Sequence, residues 1–228
     1  MAEGPHAVRL HPRFRRCQAG WSWARILGGC RLDLRLHFLV PADLAWLPRV
    51  EQAIEGGVTV VQLRAKDADD RTALDLGRRL RQLTDRLDVS LVVNDRPDLA
   101  LLLEADGIHL GQTDLPASEV RRLVGPTVTI GLSSHTLAEA VAACAQPIDY
   151  VAFGPIFPTR SKEAPAAATG LGALAEVVRQ ATVPVVAIGG ISPAQIEGIR
   201  RTGVSGVAVI GALADAPDPT KEASALLL

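Results

Sequence analysis

The chain has 228 residues, 48% of them hydrophobic and 21% charged, which is the balance of a globular protein long enough to bury one large core. Its 24 basic and 25 acidic residues leave a formal charge of −1, which argues against a general binder of nucleic acid or of an anionic membrane surface. Cys17, Cys30 and Cys144 are too few and too scattered for a disulfide framework or a zinc site, and they fit a reducing, cytoplasmic setting; no apolar run approaches the roughly 18 residues that a membrane span needs.

Residues 1–33 differ from the rest. Arg9, Arg13, Arg15, Arg16, Arg25 and Arg31 stand against Glu3 and Asp33 alone, and Pro5, Pro12, Gly20, Gly28 and Gly29 interrupt any periodicity. A basic arm or a transit peptide has such a composition, and so does an extension that packs poorly because it cannot bury a core. The latter is the expectation here.

From Leu34 onward a regular alternation begins. The first apolar run is LRLHFLV (34–40), followed by the helical pattern ADLAWLPRVEQAIEGG (42–57). Next come VTVVQLR (58–64), the helical RTALDLGRRLRQLTDRL (71–87) and VSLVVND (89–95). Five further runs are DGIHLG (106–111), TVTIGLS (127–133), DYVAFG (149–154), VPVVAIGG (183–190) and VSGVAVIG (204–211). Continuous apolar runs read as strands buried on both faces, and alternation with helices implies parallel pairing. Eight such units predict a single (β/α)8 barrel over 34–228. An open doubly wound sheet would carry a Gly-rich turn after its first strand, and VPADL (40–44) has none.

In a barrel of this kind the active site lies at the C-terminal ends of the strands. Gln62 and Arg64 share one parity on their strand, so both face the barrel mouth. Arg64 offers a bidentate anion contact, and Lys66 and Lys162 add point charges. Three cations at strand ends suit a diphosphate. Asp95 and Asp114 follow neighbouring strands, and one or two carboxylates together with substrate phosphate are the usual ligands of magnesium. The same residues also read as caps, Asp95 on the turn before Pro97 and Asp114 on a helix starting near Pro116. Gly189-Gly190 before Ile191-Ser192-Pro193, and Ile210-Gly211 after the last strand, allow backbone N–H groups to approach a phosphate. Thr159 and Ser161 add hydroxyls on the longest loop. His37 and His109 read as packed residues, whereas His135, at a strand end, contacts substrate or acts as an acid or base.

The run QLRAK, VVNDRPDLA, DGIHLGQTDLP, IGLSSH, GPIFPTRSKEAP, AIGGI and GVAVIG resembles the motif series of the thiamine phosphate synthase family over about residues 34–220. The resemblance implies a (β/α)8 barrel that couples hydroxymethylpyrimidine diphosphate to a thiazole monophosphate with magnesium. It implies that Gln62, Arg64, Lys66 and Asn94 hold the pyrimidine diphosphate, that Ser133 lies at the pyrimidine and Lys162 at the diphosphate, and that Asp95 and Asp114 ligate magnesium. It places Thr159, Arg160 and Ser161, with Gly190, Ile210 and Gly211, at the thiazole phosphate. This chain has Ser161 where the family usually has Thr, Gly211 where it has Ser, and VPAD where a Thr-Asp pair is common.

The implied partners are the two small phosphorylated substrates, with no nucleic acid and no membrane; a homo-oligomer is left open. A thiazole tautomerase of the same barrel type needs an acid/base residue such as His135 but no metal-diphosphate site. A non-catalytic thiazole-phosphate binder would lack the paired carboxylates. Removal of residues 1–30 is expected to leave melting temperature and activity unchanged, and a large loss of either on truncation would show that the segment belongs to the fold.

Overall fold

All eight apolar runs become short strands. The computed structural model describes residues 32–159 and 167–228, so the expected extension over 1–33 lies almost entirely outside the described residues, as do Arg160, Ser161 and Lys162. The strands are β1 Leu36–Pro41, β2 Val60–Arg64, β3 Ser90–Asn94, β4 Gly107–Leu110, β5 Thr129–Ser134, β6 Tyr150–Phe153, β7 Val185–Ile188 and β8 Gly206–Val209. Each pairs in parallel with its neighbour in sequence, and β8 returns to β1 through Leu36–Val207 and Phe38–Val209, closing the barrel. The described helices are α1 Leu47–Glu55, α2 Asp70–Leu87, α3 Pro97–Leu102, α4 Ala117–Val124, α5 Leu137–Cys144, α6 Gly170–Gln180, α7 Ile196–Arg200, α8 Gly211–Ala214 and α9 Pro219–Leu226.

Side chains alternate across each strand, so closure sorts them into two sets. Phe38, Leu63, Leu91, Ile108, Ile130 and Phe153 belong to the continuous apolar core that the strands share with Val50, Leu76, Leu80, Val120 and Leu174 of the helices. Burying each large side chain there contributes roughly 1.5–3 kcal/mol. The opposite set, including His37, Gln62, His109 and Tyr150, faces the barrel interior and lines a cavity. Helix starts follow local chemistry: Asp69 caps α2 by accepting from the Thr72 amide at 2.9 Å, and Thr136 caps α5 by accepting from the Glu139 amide at 3.2 Å.

The N-terminal end of the barrel is closed by two matching clamps. Asp106, just before β4, accepts from the Leu91 amide at 2.8 Å and from Arg81 Nη1 at 2.9 Å. Asp149, just before β6, accepts from the Ile130 amide at 2.7 Å and from Arg121 Nη2 at 2.6 Å. Asp149→Ala strands a buried strand amide and one edge of a guanidinium, so it is expected to destabilise the protein by about 2 kcal/mol in denaturant unfolding. Glu197→Ala on exposed α7 is expected to fall within about 0.5 kcal/mol of the parent, and an equal effect for the two variants would contradict the clamp.

Candidate active site

The strand ends surround a cavity of about 810 Å³ that reaches from the mouth down into the barrel. At the mouth Asp95 and Asp114 meet side chain to side chain. Asp95 sits just beyond β3 with φ 63°, a left-handed conformation that Asp tolerates better than most residues. Its amide donates to the His109 carbonyl at 2.8 Å, which carries its carboxyl toward the β4 end. Asp114 Oδ2 accepts from the Gly111 amide at 2.6 Å. Asp114 therefore braces the turn after β4, and the N-cap of α4 is Pro116 instead, which settles the capping alternative for this residue.

Lys66 Nζ lies 3.3 Å from Asp95 Oδ2. Burial pushes the Asp95 carboxyl up to about 6, and the hydrogen bond and charge of Asp114 push the same way against the downward pull of Lys66. Arg64, half-buried beside them, makes no ion pair with any described residue, so its guanidinium faces the cavity uncommitted. Among the described residues no cluster of three or more His, Cys, Asp or Glu side chains is disposed to hold a metal ion. The carboxylate pair offers hard oxygen donors with unmet negative charge, the donor type of a magnesium site that a ligand's phosphate completes.

Deeper in the barrel the polar residues are buried. Gln62 is 2% exposed, and its Oε1 has no hydrogen-bond partner among the described residues. His109 Nε2 is 2.8 Å from Ser133 Oγ and its Nδ1 is 3.0 Å from the Tyr150 hydroxyl. His37 packs edge-on against Tyr150, with ring centroids 5.7 Å apart. Burial, helped by His109, pushes the His37 imidazole down to about 3, so it is neutral at physiological pH. Asn94 at the end of β3 completes this wall.

The opposite wall is built from β5 to β8. His135 Nδ1 donates to the Gly154 carbonyl at 2.6 Å, and the His135 amide donates to Glu139 at 2.7 Å. A carbonyl only accepts, so the Nδ1 proton is fixed and Nε2 is left as the acceptor. Gly190 has φ 65°, and a Cβ there would lie 2.4 Å from the Pro158 carbonyl oxygen. Only glycine brings β7 so close to the loop that carries Thr159. Thr159, Gly190, Ile210 and Gly211 all line this side of the cavity. The helix expected after Gly189-Gly190 is a single 3-10 turn, Pro193–Gln195, running into the five-residue α7. Backbone N–H groups rather than a long helix dipole are thus what this wall offers an anion. A serine at position 211 would fit, because its Cβ would meet Asp215 Oδ2 at an ordinary 3.5 Å.

The structure thus gathers Gln62, Arg64, Lys66, Asn94, Asp95, Asp114, Ser133, Thr159, Gly190, Ile210 and Gly211 around one cavity, while Arg160, Ser161 and Lys162 fall outside the described residues. The sequence reading missed Tyr150, the single tyrosine of the chain, which lies on the inward parity of DYVAFG opposite Gly131.

Fold and cavity together define a (β/α)8-barrel enzyme with its site at the C-terminal ends of the strands. Residues 36–213 match the family described as thiamine monophosphate synthase, and the chain belongs to that family. It is 46% identical over 201 residues to a putative thiamine-phosphate synthase of Geobacter sulfurreducens, covering 86% of this chain and 94% of that protein. The thiamine-phosphate synthase of Desulfitobacterium hafniense strain Y51 is 42% identical over 182 residues, 80% of this chain and 88% of the relative. Among solved structures, thiamine phosphate pyrophosphorylase from Pyrococcus furiosus superposes with a TM-score of 0.77 at 37% identity, covering 86% of this chain and 95% of that one. A 3-hexulose-6-phosphate synthase, at 16% identity and a TM-score of 0.63, shares the fold alone. The family's activity, thiamine-phosphate synthesis, makes the chain a transferase of thiamine biosynthesis. No helix among the described residues is long and apolar enough to cross a membrane.

The raised Asp95 carboxyl sets a pH dependence. Its folded value of about 6 exceeds the unfolded 3.8, so the folded state holds the proton more tightly and stability falls as pH rises from about 4 to 6. Asp95→Asn, which retains tolerance of positive φ, is therefore expected to stabilise the protein by about 1 kcal/mol at pH 8 and by nothing at pH 3.5. Unfolding midpoints at the two pH values test this, and destabilisation at pH 8 would contradict the geometry.

Proposed function

We propose that the chain couples 4-amino-2-methyl-5-hydroxymethylpyrimidine diphosphate to 4-methyl-5-(2-hydroxyethyl)thiazole phosphate, giving thiamine monophosphate and pyrophosphate. The observation that carries this reading is the Asp95–Asp114 carboxylate pair beside Lys66 and Arg64 at the mouth of a deep cavity. Arg64 and Lys66, with Lys162 from the neighbouring loop, hold the diphosphate. Gln62, Asn94 and Ser133 orient the aminopyrimidine below it. The unpartnered, buried Gln62 Oε1 is an acceptor suited to the ring's amino group. Thr159, Arg160 and Ser161 bind the thiazole phosphate against Gly190, Ile210 and Gly211.

Asp95 and Asp114 would hold magnesium. Bound there, the ion neutralises charge on the diphosphate oxygens. The methylene–oxygen bond breaks with its electron pair leaving on pyrophosphate, while the electron-rich aminopyrimidine stabilises the resulting cation. The thiazole nitrogen then attacks the methylene carbon. No protein nucleophile is required; Arg64, Lys66 and Lys162 stabilise charge that grows as the leaving group departs, and the cavity walls align the two rings. The fixed Nδ1 proton of His135 supports a contact role rather than proton transfer in this route. The barrel over 34–228 carries all of these groups, and residues 1–33 stand outside the reaction.

Purified protein with both substrates and magnesium is expected to form thiamine monophosphate, to stop with a chelator, and to recover when magnesium is restored. Arg64→Ala, Lys66→Ala and Lys162→Ala are each expected to slow single-turnover coupling by about 100-fold or more, whereas His135→Asn costs about 10-fold or less. Asp95→Asn should lose turnover while keeping its fold. The reverse order, with His135 indispensable and the cations silent, would indicate a thiazole tautomerase.

A further inference from the structure

We infer that Tyr150 is a positioning residue that acts on the pyrimidine site through His109 and Ser133. The inference rests on the proposed placement of Ser133 at the pyrimidine. In the barrel wall, His109 on β4 is in register with Gly131 on β5, and Gly131 with Tyr150 on β6. All three therefore face inward in one row. A Cβ on Gly131 would lie 2.1 Å from Tyr150 Cζ, so the missing side chain on β5 is what lets the tyrosine ring cross that strand. It arrives stacked on His109, with ring centroids 5.6 Å apart and an interplanar angle of 29°, and brings its hydroxyl 3.0 Å from His109 Nδ1. The other edge of the same imidazole, Nε2, is 2.8 Å from Ser133 Oγ. Tyr150 and His109 are 1% and 6% exposed, so the row is sealed from bulk water while Ser133 opens on the cavity.

A neutral imidazole carries one N–H donor and one acceptor nitrogen, so its two bonds are not independent. When the Tyr150 hydroxyl donates to Nδ1, Nε2–H donates to Ser133 Oγ, and the Ser133 proton turns outward into the cavity. When Nδ1–H donates to the tyrosine, Nε2 takes the Ser133 proton and the serine offers only lone pairs. Ring nitrogens of a pyrimidine accept hydrogen bonds, so only the first polarity lets Ser133 hold the ring by donation. The Gln112 side chain donates to the Ser133 carbonyl at 2.5 Å and steadies the backbone, so the hydroxyl direction is the variable that Tyr150 sets. Gly131 makes the arrangement possible, and the hydroxyl of Tyr150 chooses its direction.

The test is a double-mutant cycle in the full chain with magnesium and both substrates. Tyr150→Phe keeps the ring that fills the gap at Gly131 and removes only the hydroxyl. It is expected to lower kcat/KM for the pyrimidine diphosphate about tenfold, with KM for the thiazole phosphate unchanged and a melting temperature near that of the parent. In a Ser133→Ala background the same substitution is expected to have no further effect, because the relay then ends on a methyl group. His109→Gln, whose amide reaches the Nε2 position, is expected to retain more activity than His109→Asn, whose amide stands near Nδ1; this pair carries the test if Tyr150→Phe folds poorly. A tenfold loss repeated in the Ser133→Ala background, parental kinetics in Tyr150→Phe, or His109→Asn outperforming His109→Gln would each overturn the relay. Additive losses in an enzyme that still makes thiamine monophosphate overturn this inference alone. A wild-type chain that makes none overturns the proposed reaction and the relay with it.

Discussion

Closing eight parallel strands on themselves settles which face of every strand looks inward, and the rest of the molecule follows from that. The outward face must be covered by helices because it is wholly apolar, from Phe38 on β1 round to Val209 on β8. The inward face is relieved of that duty, since a barrel this narrow fills its lower half with a few side chains. The chain places buried polar residues there, His37, Gln62, His109 and Tyr150, beneath a mouth lined with charge. Stability is concentrated in the outer apolar layer and the Asp106 and Asp149 clamps at the bottom, and chemistry is kept at the top.

That division leaves the mouth free to hold groups that disfavour folding. Two carboxyls meet there with one lysine between them and solution, and the higher proton affinity of Asp95 measures the cost. A bound cation and an anionic ligand would each relieve part of it. The same economy governs the backbone: Asp95 and Gly190 both take positive φ at strand ends, where the chain turns sharply enough to aim groups into the cavity. Such local strain persists because the closed sheet below overdetermines the position of each strand end.

Much of this was legible in one dimension. Each strand is a β-branched apolar run bounded by polar residues, and burial on both faces leaves no other reading for eight runs separated by helical patterns. Arg64, Lys66, Asp95 and Asp114 were legible for a related reason: strand ends are marked in the sequence, and function in a barrel sits at strand ends. Three features were not. Asp114 read equally well as a helix cap until its carboxylate proved to hold the Gly111 amide. The Gly189-Gly190 turn promised a helix N-terminus, but Pro193 admits only a 3-10 turn before α7. The reach of Tyr150 to His109 depends on an empty position on the strand between them.

The sequence by itself determined the strand count, the parallel pairing and the identity of the polar groups at the mouth, because alternation and strand-end chemistry are properties of residues a few positions apart. Tertiary structure alone decided which of those groups touch. Asp95 and Asp114 stand nineteen positions apart and His109 and Tyr150 forty-one, on strands whose relative register no local pattern records. Register across a closed barrel is set by the packing of all eight strands at once, so the contacts between Asp95 and Asp114, and along Tyr150, His109 and Ser133, exist only once the barrel has closed.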